Sequence, residues 1–163
     1  MAAEQAVQTL SKDTDVSELM TQWATFRLDK ELFGVNVMLV QEVLRYSEIT
    51  PVPGAPYFVL GIINLRGNVV TIIDTRSLFA MASVEVTDDT RIVIIELEQQ
   101  VVGFLVDCVD EVVYVNKPEI EKAPNVGNDA KAQFISGVYH QNDELLILID
   151  LADFLNTHAP ATI

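Results

Sequence analysis

Residues 61–74, GIINLRGNVVTIID, decide how this chain folds. Ile62-Ile63 and Val69-Val70-Thr71-Ile72-Ile73 are β-branched runs, suited to pleated, half-buried strands. Between them Leu65-Arg66-Gly67-Asn68 carries a glycine able to take the positive φ of a tight reversal. The stretch predicts a stiff hairpin with Arg66 at its tip. On its own, such an arginine reads first as a solvated turn residue.

The same pattern returns at residues 137–150, GVYHQNDELLILID. Both stretches open on Gly, contain a five-residue apolar block and reach Asp 13 positions later; an apolar pair follows each, Leu78-Phe79 and Phe154-Leu155. Upstream, Phe26, Leu28, Leu32, Gly34, Val40, Glu42 and Val43 match Ile95, Leu97, Val101, Gly103, Val109, Glu111 and Val112 at an offset of 69. The offset grows to 71 at Ile49 and Ile120, then to 76 at Gly61 and Gly137, as insertions in loops require. Two copies of one unit, about 22–79 and 91–155, therefore make up the chain.

A length of 163 residues with 50% hydrophobic content supports one good core or two small ones. Each copy alone is near the size where a core becomes marginal, so the copies are expected to share apolar surface. The net charge of −14, with only 10 Lys and Arg, excludes nucleic acid and anionic membrane as ligands. The one cysteine, Cys108, rules out an internal disulfide and lies in an apolar run as a packed thiol, in keeping with a reducing compartment. The apolar blocks are strand-length, so neither a signal peptide nor a membrane span is expected, and the cytoplasm is the default.

Residues 1–20 lack a sustained period and read as a disordered tail, and 158–163 as a frayed end; the folded domain is expected over 21–157. Residues 23–29 and 32–35 form a hairpin turning at Asp29-Lys30-Glu31. Val37, Val40, Val43 and Leu44 follow helical spacing in a short segment. The proline-rich 49–56 is a rigid connector, and 57–60 one helical turn. Asp74 caps a turn through Phe79, and 80–90 link the copies. Hairpins follow around Glu98-Gln99-Gln100 and Gln141-Asn142-Asp143, with a strand at 112–115 between them and a loop at 121–133. Short, closely spaced strands predict a mainly β fold, two SH3-like five-stranded barrels side by side with a few short helices. A terminal strand can cross over to complete the other barrel, so repeat and barrel need not coincide.

Asp74 and Asp150 resemble a carboxylate pair for acid–base work, but their equivalence in the repeat gives both the same local task as helix caps. His140 and His158 share no metal-ligand spacing with each other or with Cys108. Gly61 and Gly67 read as turn glycines with no helix start behind them, so no phosphate cradle is expected. No nucleophile elbow or dinucleotide fingerprint occurs. Binding remains. Val37, Val40 and Val43, with Val109 from the other copy, either close the seam between the barrels or line an apolar groove there. Such a groove suits an amphipathic partner helix, and Arg66 adds a polar anchor.

GIINLRGNVVTIIDTRSLF, preceded by ITPVPGAP, followed by VVGFLVDCVDEV and closed by LLILID, resembles the CheW family of bacterial chemotaxis coupling proteins over roughly 22–156. The resemblance implies a non-enzymatic adaptor without cofactor or metal. It would bridge the cytoplasmic helices of chemoreceptors to the regulatory domain of the histidine kinase CheA, in receptor arrays at the inner face of the membrane. The family's receptor groove carries over to Val37, Val40, Val43 and Val109, with Glu42 and Arg66 beside it. A kinase contact falls at Glu121 and Val126, and Arg76 matches a family position without a role. The contrasting reading is a small-molecule-binding double barrel unrelated to chemotaxis.

Overall fold

A computed structural model describes residues 19–122, 134–151 and 154. The strands are β1 (Met20–Leu28), β2 (Glu31–Asn36), β3 (Val40–Arg45), β4 (Val59–Leu65), β5 (Asn68–Asp74), β6 (Arg91–Leu97), β7 (Gln100–Val106), β8 (Cys108–Asn116), β9 (Ile135–Gln141) and β10 (Glu144–Ile149). A single-turn helix, α1 (Thr75–Leu78), follows β5, and a 3-10 turn (Val37–Leu39) joins β2 to β3. The fold is mainly β, as the short strands predict.

The strands form two five-stranded sheets, in the orders β8-β1-β2-β10-β9 and β3-β6-β7-β5-β4. The repeat makes β1–β5 equivalent to β6–β10. Each sheet thus combines the first hairpin of one copy with the last three strands of the other. The exchange is reciprocal and larger than one crossing terminal strand. Register follows the repeat: Gly34 pairs with Leu148 in the parallel β2–β10 contact, and the equivalent Gly103 pairs with Ile72 in β7–β5. Side chains follow it too. Arg27 donates from Nε to Asp110 Oδ2 at 3.1 Å, and Gln41 from Nε2 to Glu96 Oε2 at 3.2 Å, with donor and acceptor strands interchanged.

Each sheet curls until its ends meet. Thr50 and Ile62 exchange two backbone bonds of 2.9 and 2.8 Å, and their equivalents Glu121 and Val138 exchange bonds of 2.9 and 2.8 Å. Gly61 and Gly137 permit these closures. A Cβ on Gly61 would lie 2.1 Å from Thr50 O, and one on Gly137 2.5 Å from Ile120 Cγ2. Gly61 is therefore a closure glycine inside β4, not the turn residue its sequence position suggests. Three of the four hairpin turns use left-handed residue pairs, Arg66-Gly67 (φ 53° and 87°), Glu98-Gln99 (49° and 72°) and Asn142-Asp143 (48° and 60°). That is the backbone required by the two-residue turn whose twist matches its strands.

Three apolar clusters result. Trp23, Leu32, Val115, Leu146 and Leu148 fill the first barrel; Ile63, Val70, Ile72, Ile92 and Ile94 fill the second. The largest cluster lies between them and draws on both sheets, including Phe26, Phe33, Ile95, Val102 and Phe104. In it Phe154 stands edge-on to Phe58, Phe104 and Phe134 at centroid distances of 5.5, 5.9 and 5.4 Å. The copies share a core, as their small size requires.

Several boundaries differ from the sequence reading. The helical segment at 37–44 is one 3-10 turn followed by strand β3. Met20 already belongs to β1, Val59 and Leu60 belong to β4, and the strand expected at 112–115 extends over Cys108–Asn116. Residues 1–18 of the tail expected at 1–20, residues 123–133 of the loop expected at 121–133, and the expected frayed end lie outside the described residues.

Candidate functional site

The tip of the β4–β5 hairpin meets β3, the strand at the far end of the same sheet. Arg66 donates from Nη1 to Glu42 Oε2 at 2.6 Å and from Nη2 to Glu42 Oε1 at 2.8 Å. The planar guanidinium fits both carboxylate oxygens, a geometry that lysine cannot reproduce. The hydrogen bonds from Arg66 hold the Glu42 carboxyl below its ordinary range. The arginine side chain is 70% exposed, yet it lies back on Glu42 instead of standing free in solvent. Arg66 also borders a cleft of about 420 Å³ with Gln41, Asn68, Thr71, Gln99 and Gln100.

The four valines do not form one helical stripe, because Val37 lies in the 3-10 turn, Val40 and Val43 in a bulged strand and Val109 in β8. Val40 is half-buried against the shared core, and Val109, at the start of β8, packs on the same cluster. Val43 pairs with Val93 as Val40 pairs with Ile95, so the bulge at Gln41 leaves both valines on the face toward the shared core, where Val43 is 42% exposed. Val37 opens onto a largely apolar cleft of about 540 Å³, lined also by Met20, Asn36, Met38 and Tyr114. Met38 (84% exposed) and Tyr114 (61%) are the large apolar side chains of this cleft, and sequence reasoning missed both. A faint signal for Tyr114 exists, since it falls on the outward phase of the 112–115 alternation.

The structure places Glu121 at the first barrel's closure, with its carboxylate 3.6 Å from His140 Nε2. Val126 lies outside the described residues. Asp74 accepts from Arg76 N at 3.2 Å and from Ser77 Oγ at 2.9 Å, which is the capping task read from sequence. Burial raises the Cys108 thiol, against nucleophilic use.

Arg76 has a role that the sequence did not disclose. Its side chain is only 7% exposed and donates from Nε and Nη2 to Asp107 at 2.8 and 2.5 Å, to Asp29 Oδ1, and from Nη1 to Ala82 O at 2.7 Å. Asp107 also accepts from Asp29 N at 2.8 Å. Burial opposes the charge on Asp107, but the bonds from Arg76 and Asp29 outweigh it and hold the carboxyl below its usual value. The cluster ties the β1–β2 turn to the β7–β8 junction, where the chain leaves one sheet for the other.

Among the described residues, no group of three or more His, Cys, Asp or Glu could hold a metal ion, and no helix is long and apolar enough to cross a membrane. Paired small barrels with apolar and forked polar edges describe a protein-binding module. The chain belongs to the CheW-like family, whose domain model matches residues 22–159. It is similar to the chemotaxis protein CheW of Klebsiella aerogenes, 30% identical over 163 residues that cover 100% of this chain and 96% of that protein. It is also similar to chemotaxis protein CheW of Rhizobium meliloti, 35% identical over 77% of this chain and 81% of the relative. Among solved structures, the scaffolding protein TtCheW from Thermoanaerobacter tengcongensis superposes with a TM-score of 0.73 at 35% identity, covering 80% of this chain and 84% of that one.

Proposed function

We propose that this protein is a chemotaxis adaptor that couples the cytoplasmic helices of chemoreceptors to the regulatory domain of the histidine kinase CheA. The carrying observation is the apolar cleft where β2 passes to β3. Val37, Met38, Met20 and Tyr114 present uncompensated apolar surface there on a rigid sheet. An amphipathic receptor helix can lay its apolar face across them. Val40 and Val109, which pack against the shared core, and Val43, on the same face of β3 as Val40, are assigned to the same receptor contact. The Glu42–Arg66 pair fixes the adjoining barrel edge and offers charged groups to the helix. Glu121 and Val126 are assigned to the kinase contact. The adaptor acts in the cytoplasm and is recruited to receptor arrays.

The barrel interiors favour this reading over a small-molecule carrier, because side chains fill them. The test is a reconstitution of receptor-containing membranes, CheA and this protein. Sedimentation should carry CheA down with the receptors only when the adaptor is present. CheA distributing identically with and without it would overturn the proposal.

A further inference from the structure

Apart from the hairpins and the closing bridges, every strand pairing runs between the two halves of this chain. Within a half the strands pair only as hairpins, β1–β2 and β4–β5 in the first, β6–β7 and β9–β10 in the second, and a single bridge closes each, Thr50–Ile62 and Glu121–Val138. The contacts β1–β8, β2–β10, β3–β6 and β5–β7 all cross. Two hairpins and an unpaired β3 cannot bury a face, so neither half is a folding unit by itself. Ionic contacts cross in the same way. Arg27 reaches Glu144 at 2.6 Å and Asp110 at 3.1 Å, and Arg76 reaches Asp107 at 2.5 Å.

One link, 80–90, joins the halves. Its ends are tied down: Met81 N donates to Arg76 O at 2.9 Å, Arg76 Nη1 to Ala82 O at 2.7 Å, and Thr87 N to Thr90 Oγ1 at 2.9 Å. Residues 83–86 enter no hydrogen bond among the described residues, and Val84 and Val86 are 55% and 45% exposed.

We propose that the surface between the halves also docks a second copy of this chain, the second half of each copy pairing with the first half of the other. The product is a reciprocal dimer of two complete barrel pairs, hinged at 83–86. The observation that selects this occupant is self-complementarity. Both halves supply the same strand set in the same register, so a half from another copy makes every contact that the chain's own half makes. Only the tether prefers the monomer, because a short link gives the attached half a high effective concentration. Each barrel pair of the dimer takes Val40, Glu42 and Arg66 from one copy and Val109 from the other.

The test uses the Arg76–Asp107 contact, whose partners lie in different halves. A tagged full-length Arg76→Asp chain is refolded together with an untagged Asp107→Arg chain. Alone, each places like charges in a site where Arg76 is 7% exposed, and should melt well below the native protein. In the reciprocal dimer one barrel pair joins the two substituted sites and the other joins the two native ones, so opposite charges meet in both. The expected result is a 1:1 complex of about twice 18.1 kDa, retained by the tag and melting above either variant. No retention of the untagged chain, or equal retention when both chains carry the same substitution, overturns the proposal. If a single chain with both substitutions does not fold, tagged and untagged native chains refolded together at rising concentration decide instead. A mixed dimer that persists on dilution supports the exchange, and its absence at every concentration refutes it.

Discussion

Glu42 and Arg66 are 24 residues apart in sequence and at opposite ends of the second sheet's strand order, yet they meet through two parallel hydrogen bonds of 2.6 and 2.8 Å. The tip arginine is thus already engaged before any partner arrives. Arg66→Ala should barely change thermal stability, since an exposed pair contributes little. It should weaken binding to receptor helices by roughly tenfold or more, as truncation of an interface arginine commonly does. Arg66→Lys should recover only part, because a point charge cannot fill both oxygens. Isothermal titration with a receptor fragment checks this, and native affinity in the alanine variant would return Arg66 to a purely local role.

Met38→Lys should abolish most receptor binding while leaving the melting temperature near native, because Met38 is 84% exposed. Val40→Lys should instead destabilise the fold, because Val40 packs against the shared core. Comparing binding and melting for the two variants separates cleft from core. Equal loss of CheA binding by folded Met38→Lys would show that receptor and kinase surfaces are not separate.

Gly61→Ala should be among the most disruptive single-methyl additions in the chain, as the Cβ would lie 2.1 Å from a backbone oxygen. Gly67→Ala meets nothing within 4 Å and bears only the strain of φ +87°, on the order of 1 kcal/mol. Denaturant melts should place Gly61→Ala far below Gly67→Ala. Similar midpoints would mean that barrel closure relaxes more easily than the geometry indicates.

Asp74→Ala should cost about 0.5–2 kcal/mol through the lost cap, with Asp74→Asn retaining part of it. Partner binding should persist in both. Loss of binding by folded Asp74→Asn would reveal a contact beyond capping.

Asp107 has a depressed folded-state pKa, so its contribution to stability is fully present above the unfolded carboxyl value, about 3.9. It declines as the pH falls through the lower folded value. Stability measured from about pH 5 downwards should therefore fall less steeply in Asp107→Asn than in the native chain. Identical slopes would remove Asp107 from the acid response.

The turns and the repeat were legible because Arg66-Gly67 and Asn142-Asp143 interrupt apolar strand runs and Gly61 and Gly137 open the matching stretches; that these glycines serve barrel closure was not. β3 was not. Glu42 occupies a half-buried strand position, and a register shift falls between Val40 and Glu42. A charge where the alternation demands an apolar residue, beside valines three apart, imitates a helix. The exchange of hairpins was also hidden. Equivalent copies state that β2 pairs with a fifth strand, but β5 and β10 satisfy that requirement equally. Met38 escaped because exposure of an apolar side chain at a chain crossing has no sequence period.

The crossed topology also dictates an order of events on the ribosome. The second barrel needs β3 to β7 and can assemble once Val106 has emerged. The first barrel is different. Its β1–β2 hairpin is synthesised first, yet β2 acquires its parallel neighbour only when β10, ending at Ile149, leaves the exit tunnel. The earliest hairpin is thus the last to be partnered, and its apolar face, with Trp23 and Leu32, waits through most of translation. A chain stalled before residue 144 should be the species most dependent on chaperones, because it exposes that face beside an already finished barrel.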